Sequence, residues 1–125
     1  DDLKELFQRM VFNILVHNND DHPRNFGFLS AGRDCWDLSP LYDVVPAHVN
    51  SQSYSLAMTI GIEGKKASIT NAVSQCERFR ITQEEARTTV RQLQEIASSW
   101  REHFKNAGLE KSDLKALENS FAETL

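Results

Sequence analysis

The sequence predicts a mainly α-helical domain with one small β-hairpin, and three observations carry that prediction. Apolar residues recur at three- and four-residue steps over positions 3–15. Two short apolar runs, Phe26-Gly27-Phe28-Leu29 and Cys35-Trp36-Asp37-Leu38, flank the turn formers Ser30-Ala31-Gly32-Arg33-Asp34. A capping-box signature, Thr82 with Glu85, opens a long amphipathic stretch that keeps helical spacing to Gly108. With 125 residues the chain has room for one domain and one core.

Each element follows in order. Leu3, Leu6, Phe7, Met10, Val11, Ile14 and Leu15 share one helical face, predicting a helix over residues 2–17. It stops at Asn18-Asn19-Asp20-Asp21-His22-Pro23, because these residues favour turns and the proline disfavours helical geometry just before it. The hairpin comes next and brings Asn25 and Asp43, which flank it, close together. Residues 41–55, with Pro46, read as loop, 56–62 as a short strand, and 68–76 as a short helix. Ala86, Val90, Leu93, Ala97, Trp100 and Phe104 line the long helix. Ser112 is expected to cap a last helix carrying Leu114, Leu117, Phe121 and Leu125. Trp100, Phe104 and Trp36 are expected in the core, and Cys35 and Cys76 as buried small residues.

Composition excludes several functions. No apolar run approaches the roughly 20 residues that cross a bilayer, and the first residues lack the basic and apolar regions of a signal peptide. The cysteines have no partner at zinc-finger spacing, so a reducing cytoplasm is the expected location. A net charge of −4 argues against direct nucleic-acid binding. The charge is uneven: positions 1–64 hold 4 Lys/Arg against 9 Asp/Glu, and positions 65–125 hold 10 against 9.

The chemistry concentrates in Asp20-Asp21-His22-Pro23-Arg24-Asn25, with Asp43 following in Ser39-Pro40-Leu41-Tyr42-Asp43. Phosphoryl transfer needs an aspartate that accepts the substrate hydroxyl proton, and an Asn and a second Asp that hold magnesium on the phosphates. Protein kinases space the first two as D-x-x-x-x-N on one loop and return the second Asp on a hairpin. Asp20, Asn25 and Asp43 stand in that order, and His22 narrows the motif to D-x-H-x-x-N. Arg24 and Lys65-Lys66 read as solvated surface, and His17, His48 and His103 show no metal-ligand spacing.

These residues resemble the HipA-like serine/threonine kinases, toxins of bacterial toxin–antitoxin modules. The likeness rests on Asp20-x-His22-x-x-Asn25, on the apolar helix ending Phe12-Asn13-Ile14-Leu15-Val16-His17-Asn18, on Ser39-Pro40-Leu41-Tyr42-Asp43, and on Leu56-Ala57-Met58. It implies the C-terminal lobe of a kinase-like fold, with residues 1–64 carrying the catalytic loop and metal-binding hairpin and 65–125 a helical subdomain. It implies Asp20 as catalytic base with His22 supporting its loop, and Asn25 and Asp43 as the groups holding Mg2+ and, through it, ATP. It further implies an aminoacyl-tRNA synthetase as substrate and a HipB-like helix-turn-helix antitoxin as partner, with DNA reached only through the antitoxin and no membrane involved. The five glycines form no G-x-G-x-x-G or Walker pattern, so the nucleotide-binding half is expected upstream of Asp1 and the isolated chain is expected to be inactive. Asp43 is followed by Val44-Val45 rather than Phe-Gly. Two other classes stay open: a non-catalytic, pseudokinase-like binding module, and a two-metal phosphohydrolase on Asp20, His22 and Asp43, which needs more ligands than these loops supply.

Overall fold

The structure is a computed structural model that describes residues 2–48 and 54–121. Helix α1 (Asp2–Leu15) buries Phe7, Val11, Ile14 and Leu15, as its apolar spacing requires. Its C-terminus is a Schellman closure: His17 takes the left-handed conformation (φ 55°), and the Asn18 N–H donates to the Asn13 carbonyl at 2.9 Å. A histidine fills the position that glycine usually takes, and the helix ends two residues short of the expected 17.

Strands β1 (Phe28–Gly32) and β2 (Cys35–Leu38) form the expected antiparallel hairpin, with Phe28 opposite Leu38 and Ser30 opposite Trp36. Gly32, Arg33 and Asp34 all have positive φ, and the register shifts between Ser30 and Gly32, so a bulge and a left-handed turn close it. Both faces of the hairpin are exposed. Trp36 is 62% exposed and Cys35 lies at the surface, which corrects the expectation that both are buried. A two-stranded hairpin has no second sheet layer of its own, and among the described residues its side chains remain largely exposed.

The expected strand over 56–62 is replaced by an irregular double-back. Isolated bridges pair Ser55 with Lys66 and Gly61 with Gly64, and Leu56 and Ile60 still reach the core. Helix α2 (Ile69–Val73) is capped by the Ser68 hydroxyl, which accepts from the Asn71 N–H, and a 3-10 turn, Cys76–Phe79, follows it. The capping box is formed as expected: the Thr82 hydroxyl accepts from the Glu85 N–H and the Glu85 carboxylate accepts from the Thr82 N–H. The Thr82 N–H and the Thr82 hydroxyl, both donating to the carboxylate, hold the Glu85 carboxyl below its ordinary pKa.

The long helix is two helices, α3 (Gln83–Ser98) and α4 (Trp100–Asn106), broken at Ser99. Ser98 donates its hydroxyl to the Glu95 carbonyl and Ser99 to that of Ile96, a competition with the backbone that bends helices. The last helix, α5 (Lys111–Ala116), starts before Ser112; Glu110 occupies its N-cap, and no side chain caps it.

Two apolar clusters result. The larger joins Phe7, Val11 and Ile14 of α1 to Leu56, Ile60, Ala72, Cys76, Ile81 and to Ala86 and Val90 of α3. The smaller packs Val16 with Trp100 and Phe121, whose rings stack at 4.5 Å with 10° between planes, and half-buried Phe104 leans on it edge-on. Leu125 lies outside the described residues, as do 49–53 of the expected loop.

Candidate active site

The second buried face of α1 is polar, and it builds the site. Arg9 and Asn13 are as buried as the apolar residues beside them. Arg9 donates to the Ser39 carbonyl and pairs with Glu5 one turn earlier on the helix. Asn13 accepts from the Asn18 side-chain amide at 3.0 Å, and the Asn18 side-chain oxygen accepts from the Asp20 N–H at 3.4 Å. One helix therefore holds both the start of the 20–25 loop and the start of the segment carrying Asp43.

Beyond Asn18 the loop turns through a 3-10 turn, Pro23–Asn25, in which proline supplies the fixed φ of the first position. The Asn25 side-chain amide reaches back and donates to the Asp20 carbonyl at 2.9 Å. That bond uses the nitrogen and leaves the Asn25 side-chain oxygen as a free-standing acceptor. Asp20 projects its carboxylate into solvent, 75% exposed, with the His22 Nε2 3.7 Å away.

Asp43 comes alongside through three tethers. The Ser39 N–H donates to the Gly27 carbonyl at 2.8 Å, the Tyr42 hydroxyl to the Arg24 carbonyl at 2.8 Å, and the Ala47 N–H to the His17 carbonyl at 3.0 Å. The 39–47 segment thus runs antiparallel to 17–27, and Asp43 lies along the loop between the Arg24 and His17 tethers. Asp43 is itself left-handed (φ 56°), a conformation Asp tolerates better than most residues.

Asp21, which the sequence offers only as a turn residue, is 4% exposed. Its carboxylate accepts from the Ala57 N–H at 2.6 Å across 36 residues of chain. Burial pushes its pKa above the ordinary carboxylate value, while the Ala57 and Met58 amides pull it back down. Next to it Tyr54 donates to the Ile14 carbonyl, and burial raises its phenol. Asp21 also lines an apolar cavity of about 410 Å³ together with Leu6, Met10, Phe26, Phe28 and Phe79.

The donor set suits a hard cation. Asn25 and Asp43 offer oxygen donors, and Mg2+ is ordinarily held by one or two carboxylates together with waters and substrate phosphates. Among the described residues no three His, Cys, Asp or Glu side chains converge as a ready-made metal site.

His17, behind the loop, sets a pH dependence. Its ring meets Tyr54 edge-on at 4.9 Å, and burial lowers its pKa, partly offset by a bond to the Asn119 backbone. The folded state favours the neutral ring, so below about pH 6.5 the unfolded chain takes up the proton first. Stability from this group is complete above that pH and falls as pH drops towards the lowered folded value. The melting midpoint is expected to fall between pH 7.5 and 5.5, and to fall less in His17→Asn, whose side chain tolerates positive φ and does not titrate there.

Comparison with known proteins places the chain in one family. The family model of the HipA-like C-terminal domain matches residues 1–100, and the chain belongs to that family. A Haemophilus influenzae protein named "Putative kinase" is 35% identical over 66 residues, which cover 49% of this chain and 19% of that protein. The match thus spans about a fifth of that relative's length. No solved structure gives a significant match. Among the described residues no helix is long and apolar enough to cross a membrane.

Proposed function

We propose that this chain is the catalytic-loop part of a HipA-family serine/threonine protein kinase, in which Asp20 accepts the proton of the substrate hydroxyl and Asn25 and Asp43 hold Mg2+. The observation that carries the reading is the alignment of the Asp43 segment against the Asp20–Asn25 loop by the Gly27, Arg24 and His17 tethers. Bound there, Mg2+ would supply charge neutralisation on the ATP phosphates. The chain's own residues do the rest. Asn18 and Asn25 fix the backbone of Asp20 from either side, and the exposed Asp20 carboxylate stands where an incoming hydroxyl can reach it. Through the resemblance, the substrate is a protein such as an aminoacyl-tRNA synthetase and the partner a helix-turn-helix antitoxin.

The nucleotide-binding half belongs to the remainder of such a kinase, and the exposed apolar hairpin supports a surface that the remainder covers. Phe28, Leu29 and Trp36 are each more than half exposed, a concentration of apolar area that a soluble chain normally covers with a partner. On this reading the 125 residues alone are expected not to turn over ATP, which a labelled-ATP assay on them checks.

The test is phosphate transfer from labelled ATP with Mg2+, using the chain joined to its nucleotide-binding half, against Asp43→Ala in the same protein. Label on the protein or on a cell-extract target, lost in the variant, supports the reading. A folded protein without transfer overturns it in favour of a non-catalytic binding module.

A further inference from the structure

We infer that Asp21 is the positioning residue of the catalytic loop: its buried carboxylate, anchored on the Ala57 amide, holds the loop so that its neighbour Asp20 faces outward. The inference rests on the proposed kinase reading for its purpose but not for its geometry. The two adjacent carboxylates lie on opposite sides of the chain, one buried and one exposed, so fixing Asp21 constrains where Asp20 can point. Asp21 is 4% exposed, whereas the Asp20 side chain is 75% exposed.

The anchor is well placed for this. Ala57 belongs to the 54–67 double-back, which is tied to itself by the Leu56 N–H to Lys65 carbonyl bond at 2.9 Å and the Ala67 N–H to Tyr54 carbonyl bond at 2.9 Å. Leu56 and Ile60, on either side, sit in the main core. A carboxylate bonded to that amide therefore refers the loop to the core of the domain rather than to another loop. Asn18 provides the second fixed point through Asn13 of α1. Asp20 lies between two buried polar anchors, and Asn25, bonded to the Asp20 carbonyl, inherits its position from them. A solvated turn would gain nothing from burying a carboxylate, which costs free energy unless its bonds are specific.

The experiment compares the unaltered chain with Asp21→Ala, Asp21→Asn and Asp43→Ala, reading amide hydrogen exchange by NMR together with Mg2+ affinity by titration. Asp21→Ala is expected to accelerate exchange at Ala57 and Asn25 while Val11 and Ile14 stay protected, and to weaken Mg2+ binding by roughly tenfold or more, the usual effect of losing an outer support of a metal site. Asp21→Asn keeps an oxygen that accepts from the Ala57 N–H and is expected to restore both readouts. Wild-type exchange at Ala57 and Asn25 in a folded Asp21→Ala overturns the inference, and so does an Asn variant that behaves like alanine. Should the unaltered chain and Asp43→Ala show the same Mg2+ response, the metal reading fails by itself, and the exchange rates still decide the role of Asp21.

Discussion

Asp20→Asn is expected to lower phosphoryl transfer by about 10²- to 10⁴-fold, the range that general-base catalysis contributes, while leaving Mg2+ affinity unchanged. The substitution preserves shape and the backbone bonds that hold the loop, since the Asp20 carbonyl and N–H and not its carboxylate make the contacts to Asn25 and Asn18. What it removes is the one carboxylate of the loop that stands free in solvent. Asp43→Asn in the same protein should behave differently, raising the Mg2+ requirement as well as slowing turnover, because it replaces a charged ligand by a neutral one. Steady-state kinetics at a series of Mg2+ concentrations, on the chain joined to its nucleotide-binding half, separates the two. Equal loss of metal affinity in both variants would assign Asp20 to the metal and leave the base unassigned.

The elements of this domain were legible where periodicity is long and caps are local. Helix α1, the hairpin and the start of α3 fall where spacing and the Thr82–Glu85 box put them. The break at Ser99 was not legible, because the step from Ala97 to Trp100 keeps helical spacing across it while tandem serines redirect the backbone. Cys35 and Trp36 are hydrophobic by composition and exposed by position, since burial needs an opposing surface and none of the described residues covers them. The candidate site divides the same way. Asp20, His22, Asn25 and Asp43 stand in a recognisable spacing, and the bonds that hold the Asp20–Asn25 loop are short-range. Asp21 differs from Asp20 only through an amide 36 residues away, and Arg9 and Asn13 look like the polar side of an ordinary amphipathic helix. Their signal was the pairing of a doubled Asp with a polar second face on the preceding helix, which periodicity alone does not weigh.

Gly61→Ala is expected to be the most damaging single substitution outside the aromatic core. A Cβ at Gly61 would lie 2.0 Å from the Asn71 carbonyl oxygen and 2.4 Å from the Ser74 hydroxyl, and the first is backbone that cannot swing aside. Asn71 is fully buried and already committed: its side-chain oxygen accepts from the Glu63 N–H at 2.8 Å, and its amide donates to the Gly64 and Lys66 carbonyls at 3.1 and 2.9 Å. Moving the turn away from α2 strains all three bonds, so the cost is about 3 kcal/mol, at the upper end for overpacking. In a domain of this size that lowers the melting midpoint by roughly 10 °C or more. Gly64→Ala is the informative control. Gly64 has φ 64° but nothing within 4 Å of an added Cβ, so only the left-handed conformation is penalised, by about 1 kcal/mol. A thermal melt in which Gly61→Ala falls well below Gly64→Ala ties the turn to close packing on α2, and equal losses would assign the effect to backbone conformation. Because the same double-back presents Ala57 to Asp21, surviving Gly61→Ala protein should also show faster exchange in the 20–25 loop than Gly64→Ala, a fault in packing on α2 carried through one hydrogen bond to that loop.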